Sequence, residues 1–186
     1  MHISIKMRIE LYQEIDMPEG VTIANDEGEI TVKGPLGENK KILNLYKIEL
    51  KTEKDKIIVG SKSATKRQKK MINTIASHLT NMVKGVTEKF EYELKICFSH
   101  FPFNVTMSGK NVEIKNFLGE KIARNVNIPD GVEIDIQKEI ITVKSIDKEL
   151  AGQAAANFEF ATKVTGRDTR VFQDGIYITK KCGRAI

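Results

Sequence analysis

Part of this sequence is written twice. "ITVKGPLGE", Ile30–Glu38, returns as "VEIKNFLGE", Val112–Glu120, 82 residues on, and "IELKTEKDKIIVGS", Ile48–Ser61, returns as "VEIDIQKEIITVKS", Val132–Ser145, at an offset of 84. Two echoes in the same order at nearly one offset indicate a duplicated unit. That leaves few folds open, because each copy must bury a core of its own from the same succession of elements. "PDGV" at Pro129 also echoes "PEGV" at Pro18, a shorter and purely local likeness in which each opens a hairpin.

Within a copy the order reads strand, turn, strand, a further hairpin, then a helix. Ile30 and Val32, and again Val132, Ile134 and Ile136, alternate with polar residues as half-buried strands do. "GPLG" supplies the Pro and Gly of a tight connection. A helix near Ala64–Lys84, capped by Ser63 and stopped by Gly85, carries Ile72, Ile75, Ala76, Leu79, Met82 and Val83 at the 3–4 spacing of a face laid on a sheet. The expected fold is α+β: two tandem similar domains, 1–85 and 86–186, each an antiparallel sheet with one helix packed on it. "KFEYELKICFSHF", Lys89–Phe101, is expected as the joining strand. In the N-terminal dozen, Ile3, Ile5, Met7, Ile9 and Leu11 alternate as a strand or an arm would.

The second helix is lean. "DKELAGQAAANFEFATKVTGR", Asp147–Arg167, has a cap in Asp147 and a left-handed close in Gly166. Between them only Leu150, Phe158, Phe160 and Val164 carry much apolar bulk. Gly152 and Ala156, four apart, would let a thick partner approach, and Gln153 and Asn157 would hydrogen-bond it. A neighbouring strand layer and an RNA backbone are both candidates, and different faces of the helix could meet both. The expectation is that Gly152→Arg harms docking more than folding.

Charge suggests what that partner is. The net +5 is unevenly spread: Ser61–Lys84 holds six basic residues and no acid, and Lys163–Ile186 holds six against Asp168 and Asp174. Such segregation points to an anion met by particular surfaces. "KRQKK", Lys66–Lys70, puts cations on the already positive end of a helix, where each costs roughly 0.3–1 kcal/mol. The tail "GRDTRVFQDGIYITKKCGRAI" sets Arg167, Arg170, Lys180 and Lys181 around Phe172, Tyr177 and a "DG" turn, with the two aromatics anchoring and the charges facing out.

Catalytic signals are thin. His2, His78 and His100 have no His or Cys partner at metal-ligand spacing, and Cys97 and Cys182 read as reduced thiols of a soluble cytoplasmic protein. Ser99 and His100 would point to opposite faces of a strand, which argues against a nucleophile–base pair. "SGK" at Ser108–Lys110 is too short for a phosphate loop. No enzyme activity, metal, cofactor, small-molecule substrate or membrane association is expected. Two rival readings remain: an interaction adaptor whose duplicated sheets serve as docking edges, and a small hydrolase using Ser99 and His100.

"PEGVTI", "ITVKGPLG", "NMVKGVTEKFEYELK", "HFPF", "NFLGEK", "IDKELAGQAAANFE" and "RVFQDGIYITKK", in that order, resemble the universal large-subunit ribosomal protein six family in its archaeal or eukaryotic form. Lys89 departs from the glycine many relatives carry, and "DTRVFQDGIY" differs from the bacterial version of the tail. The resemblance implies two similar α+β domains without catalytic activity. It implies that the second binds large-subunit ribosomal RNA near the sarcin–ricin loop, beside the translational GTPase site, and that the first faces the stalk base and neighbouring ribosomal proteins. Carried onto this chain, the RNA contacts would be Gln153, Asn157, Arg167, Arg170, Gln173, Asp174, Gly175, Lys180 and Lys181, with Lys66, Arg67, Lys69 and Lys70 as a second surface.

Overall fold

The echoed segments become corresponding strands of two units, Met1–Glu88 and Lys89–Ile186. The computed structural model describes residues 9–26, 28–53, 56–109 and 111–186. The alternation at Ile3, Ile5 and Met7 and the end of "SGK" lie outside the described residues. The first unit contains β1 (Ile9–Asp16), β2 (Thr22–Asp26), β3 (Glu29–Gly34), β4 (Gly37–Ile42), β5 (Glu49–Thr52), β6 (Lys56–Ala64) and α1 (Lys66–Thr87). The second contains β7 (Phe90–Cys97), β8 (Asn104–Ser108), β9 (Asn111–Lys115), β10 (Arg124–Asn127), β11 (Val132–Gln137), β12 (Ile140–Ser145), α2 (Lys148–Ala161), β13 (Gly175–Lys181) and β14 (Arg184–Ala185).

Each unit shares its strands between two sheets, a division that a period-two pattern does not reveal. In the first, the orders are β1-β6-β5 and β2-β3-β4; in the second they are β11-β12-β7-β13-β14 and β10-β9-β8. The first echo therefore marks the central strand of each three-stranded meander, β3 and β9. The second marks the hairpins β5–β6 and β11–β12. All the pairings are antiparallel. The second unit adds β13 and β14 along the far edge of β7. Lys89–Phe101 is thus no joining strand: β7 lies between β12 and β13, inside the second unit.

"GPLG" makes the expected tight connection, with Gly34 opposite Gly37 and only Pro35 and Leu36 between the strands. The two "P-x-G-V" turns also match, Gly20 and Gly131 both sitting at φ 85°, a left-handed conformation open to glycine at no steric cost.

α1 buries the expected stripe of Ile72, Ile75, Ala76, Leu79, Met82 and Val83, but its ends differ from expectation. Ser63 still belongs to β6, and the cap is Thr65. The Thr65 N–H donates to Gln68 Oε1 at 2.8 Å and the Gln68 N–H to Thr65 Oγ1 at 3.4 Å, a reciprocal capping box. Gly85 does not stop the helix. Val86, fully buried, lies against Gly34, where a Cβ would come within 2.7 Å of Val86 Cγ2, and the Leu36 N–H donates to the Val86 carbonyl at 3.1 Å. Packing under the β3–β4 turn therefore carries the helix two residues past the glycine. Thr65→Ala should lower the first unit's stability by about 1 kcal/mol, read from a urea midpoint shift at constant slope.

α2 starts as expected, with the Glu149 N–H donating to the Asp147 carboxylate at 2.8 Å. It ends at Ala161 rather than near Arg167. The Thr162 hydroxyl accepts the Ile176 N–H at 2.9 Å, and Arg124 donates to the carbonyls of Ala161 at 2.8 Å and Lys163 at 3.4 Å. A side-chain cation thus takes the helix's last carbonyl and one just beyond it, and the chain leaves to form β13. Gly166 is left-handed, at φ 71°, but lies in the following loop.

Candidate nucleic-acid interface

The small residues of α2 face inward. Ala151, Ala154, Ala155 and Phe158 are fully buried among Leu94 and Ile96 of β7, Val143 of β12 and Val126 of β10. Three alanines in a row of contacts bring the helix axis close to its own sheets. A Cβ on Gly152 would lie 3.3 Å from the Tyr92 hydroxyl, so what approaches this glycine is a β7 side chain. Burial pushes the Tyr92 hydroxyl up to about 12, and the hydrogen bond with Cys182 beside it adds to the effect. At Gly152, then, the neighbouring strand layer is what makes the close approach. Ala156 is half-buried, and Gly152→Arg would strike Tyr92 and act on folding first.

Asn157 is also spent inside the protein. Its Nδ2 donates to the Asn127 carbonyl of β10 at 2.8 Å, while its Oδ1 accepts from Gln153 Nε2 at 2.8 Å. That brace ties α2 to the meander and leaves Gln153 as the exposed member of the pair.

Asp174 and Gly175 were expected at an RNA surface, and the structure buries both. Asp174 is 1% exposed, and its carboxylate accepts the Ser99 N–H at 2.7 Å, the Ser99 hydroxyl at 2.8 Å and the His100 N–H at 3.3 Å. It clamps the loop after β7 to the start of β13. Gly175 is packed under Tyr177, whose ring would lie 3.1 Å from an added Cβ. Burial alone would push the Asp174 carboxyl up; the bonds from Ser99 and His100 outweigh it and hold the carboxyl below its usual value. A folded-state value below the unfolded one makes a contribution fully present above about pH 4 and lost as pH falls through the folded value. Asp174→Asn should flatten the acid limb: between about pH 7 and about pH 3 the wild type loses more urea stability than the variant.

The same cluster bears on hydrolysis. β7 ends at Cys97, so Ser99 and His100 sit in a loop with Oγ 3.1 Å from Nδ1, and the opposite-faces argument does not apply. The Ser99 proton instead points to Asp174, and the His100 ring stacks on Phe172 at 4.6 Å. A serine that donates to the buried carboxylate is not poised for deprotonation by the histidine.

The remaining expected residues face solvent at the two ends of β13. At its start, the Arg167 guanidinium lies over the Phe172 ring at 4.8 Å, forming with His100 a cation–aromatic stack. Arg170, 92% exposed, is 3.7 Å from Asp168, and Gln173 Nε2 donates to the Arg170 carbonyl at 3.2 Å. At its end, a bulge at Thr179 shifts the register, so Lys180 stands opposite Glu93 and Lys181 opposite Tyr92. Lys180 is paired with Glu93 at 2.8 Å. Lys181 instead faces Arg184 across the β13–β14 hairpin. Both turn residues, Cys182 and Gly183, have positive φ (49° and 78°), the signature of a two-residue turn that fixes this register. Like charges directly opposite one another are destabilising, and neither Lys181 nor Arg184 has a carboxylate partner among the described residues.

Arg184 was missed in the sequence, although a small residue and a glycine between basic neighbours carry the hairpin signal. On the first unit Lys66, Arg67, Lys69 and Lys70 are all exposed, with no acid in the first helical turn.

The chain matches the family model described as "Ribosomal protein L6" over residues 17–89 and 101–175. It is similar to the large ribosomal subunit protein uL6 of Methanococcus vannielii, 45% identical over 174 residues, which are 94% of this chain and 96% of the relative. The proteins of the same name from Sulfurisphaera tokodaii and Methanothrix thermoacetophila are 44% and 41% identical, over 93% and 92% of this chain.

Proposed function

Because the chain belongs to the ribosomal protein L6 family, we propose that it is a structural constituent of the large ribosomal subunit, held there by large-subunit ribosomal RNA. It is a component of an assembly and not an enzyme. The second unit carries the principal RNA contacts through Arg167, Arg170, Lys181 and Arg184, with Gln153, Gln173 and Lys180 beside them. Its site in the subunit lies near the sarcin–ricin loop, where it supports the translational GTPase site. The first unit faces the stalk base and neighbouring ribosomal proteins, and the assembly is cytoplasmic.

The observation that carries the RNA reading is the Lys181–Arg184 pair. Two cations held opposite each other by a turn, without a carboxylate, form an arrangement that a phosphate stabilises and that folding alone does not favour. The Arg167–Phe172–His100 stack sits beyond the other end of β13, a strand of seven residues that spans roughly 20 Å. Contacts so spaced suit recognition of a folded backbone by phosphate geometry rather than by base edges.

The test is sedimentation. The protein should travel with large subunits and leave that fraction when the RNA is digested. Co-sedimentation that survives complete RNA digestion would mean that protein contacts hold it, as in an adaptor.

A further inference from the structure

We propose that the first unit holds one unstacked nucleotide of a single-stranded RNA segment, in an open cleft between the Asn44–Lys47 turn and the start of α1. The inference rests on the RNA-binding reading above and adds a distinct site to it. The cleft has a volume of about 390 Å³, within the range of roughly 300–1,000 Å³ of small-ligand sites.

One wall is a turn that presents an aromatic ring. The Tyr46 N–H donates to Asn44 Oδ1 at 3.0 Å, the Ile48 N–H donates to the Leu45 carbonyl at 3.0 Å, and Lys47 is left-handed at φ 58°. This wiring leaves Tyr46 66% exposed, with Lys47 Nζ 5.1 Å from the ring centroid. The other wall is Arg67, Gln68 and Met71 of α1, with Ser63 and Thr65 between. Among the described residues no carboxylate lines the cleft, so a cationic ligand finds no partner there.

The helix terminus itself is not the site. The Thr65–Gln68 capping box engages the N–H groups of Thr65 and Gln68, and the cleft beside it is lined by side chains that would hold an anion. The charge is also no requirement of the repeated fold. At the corresponding position in the second unit, α2 opens with Asp147 and Glu149, the signs that favour a helix start. The first unit places Lys66, Arg67, Lys69 and Lys70 there instead, with no carboxylate partner among the described residues.

A bare anion would account for the cations but not for an exposed ring beside them. An unstacked nucleotide accounts for both. Its base stacks on the ring, and its phosphate meets the guanidinium and ammonium groups. The side-chain NH2 groups of Asn44 and Gln68, whose oxygens are engaged by backbone N–H groups, donate to base edges.

The experiment is fluorescence anisotropy of a labelled single-stranded octanucleotide with the full chain, alongside its binding of folded large-subunit ribosomal RNA. Tyr46→Ala should weaken octanucleotide binding tenfold or more, and Arg67→Ala should weaken it to a similar degree. Tyr46→Phe, which keeps the ring face, should restore affinity to within about twofold of wild type. A poly-glutamate peptide of equal charge should compete poorly. The proposal is overturned if Tyr46→Ala leaves octanucleotide binding as it was, or if poly-glutamate competes as well as RNA. If that happens while the ribosomal RNA is still bound tightly, the cleft is no nucleotide site and the ribosomal reading stands. If neither RNA is bound, both readings fall.

Discussion

Replacing Arg167, Lys181 and Arg184 together with alanine should weaken binding to large-subunit ribosomal RNA by roughly 10²-fold at about 0.15 M salt. Each phosphate met by a lysine or arginine releases condensed counterions, and three such contacts at that ionic strength account for the loss. The three residues are exposed. Arg167 has only a through-space attraction to Glu120, and neither Lys181 nor Arg184 has a carboxylate partner among the described residues. Folding should therefore lose little: the Arg167 contact with Phe172 contributes about 1 kcal/mol or less. Separating Lys181 from Arg184 removes a like-charge pair, which offsets part of it. Filter binding gives the affinity and urea unfolding gives the stability. An affinity within twofold of wild type, on a protein equally stable, would mean the phosphates are met elsewhere.

Phe158→Ala should cost the second unit about 3–5 kcal/mol. Phe158 is fully buried, and its neighbours on the inward face of α2 are Ala151, Ala154 and Ala155. Those alanines have already brought the helix as near to the sheets as backbone packing allows. No larger side chain on that face can move into the space the ring leaves. Against a total domain stability of 5–15 kcal/mol, such a loss takes the unit close to its unfolding threshold. Urea unfolding should show a much lower midpoint, and loss of RNA binding at moderate denaturant should follow it. A cost below about 1 kcal/mol would mean that the helix relaxes inward and that its packing is looser than described.

What the sequence made legible was local or repeated. The two echoes located the meander and hairpin strands of both units, because a duplication preserves the alternation of buried residues whatever surrounds it. "GPLG" gave its two-residue turn and Asp147 its cap, each decided within four residues. The misplacements came where distant residues decide. α1 overruns Gly85 because Gly34, some fifty residues earlier, packs on Val86. α2 stops at Ala161 because Arg124 reaches that residue's carbonyl.

The candidate site divides along the same line. Exposed cations could be read from charge alone, and Arg167, Arg170, Lys180 and Lys181 do face solvent. Asp174 and Gly175 could not: a "DG" pair reads as a surface turn until Ser99 and His100, 75 and 74 residues away, fold over it. The lean composition of α2 was a true signal, and of the two partners it allowed, the helix's own strand layer is the one that comes close at Gly152, through Tyr92.

The most direct test is how steeply binding to large-subunit ribosomal RNA falls with salt, in the wild type and in the Arg167, Lys181, Arg184 triple alanine variant. The slope of log K against log salt should be negative in the wild type and shallower in the variant by about 2.7, the value for three lost phosphate contacts. Equal slopes for the two proteins, or a wild-type slope near zero, would contradict the claim that these cations meet phosphates.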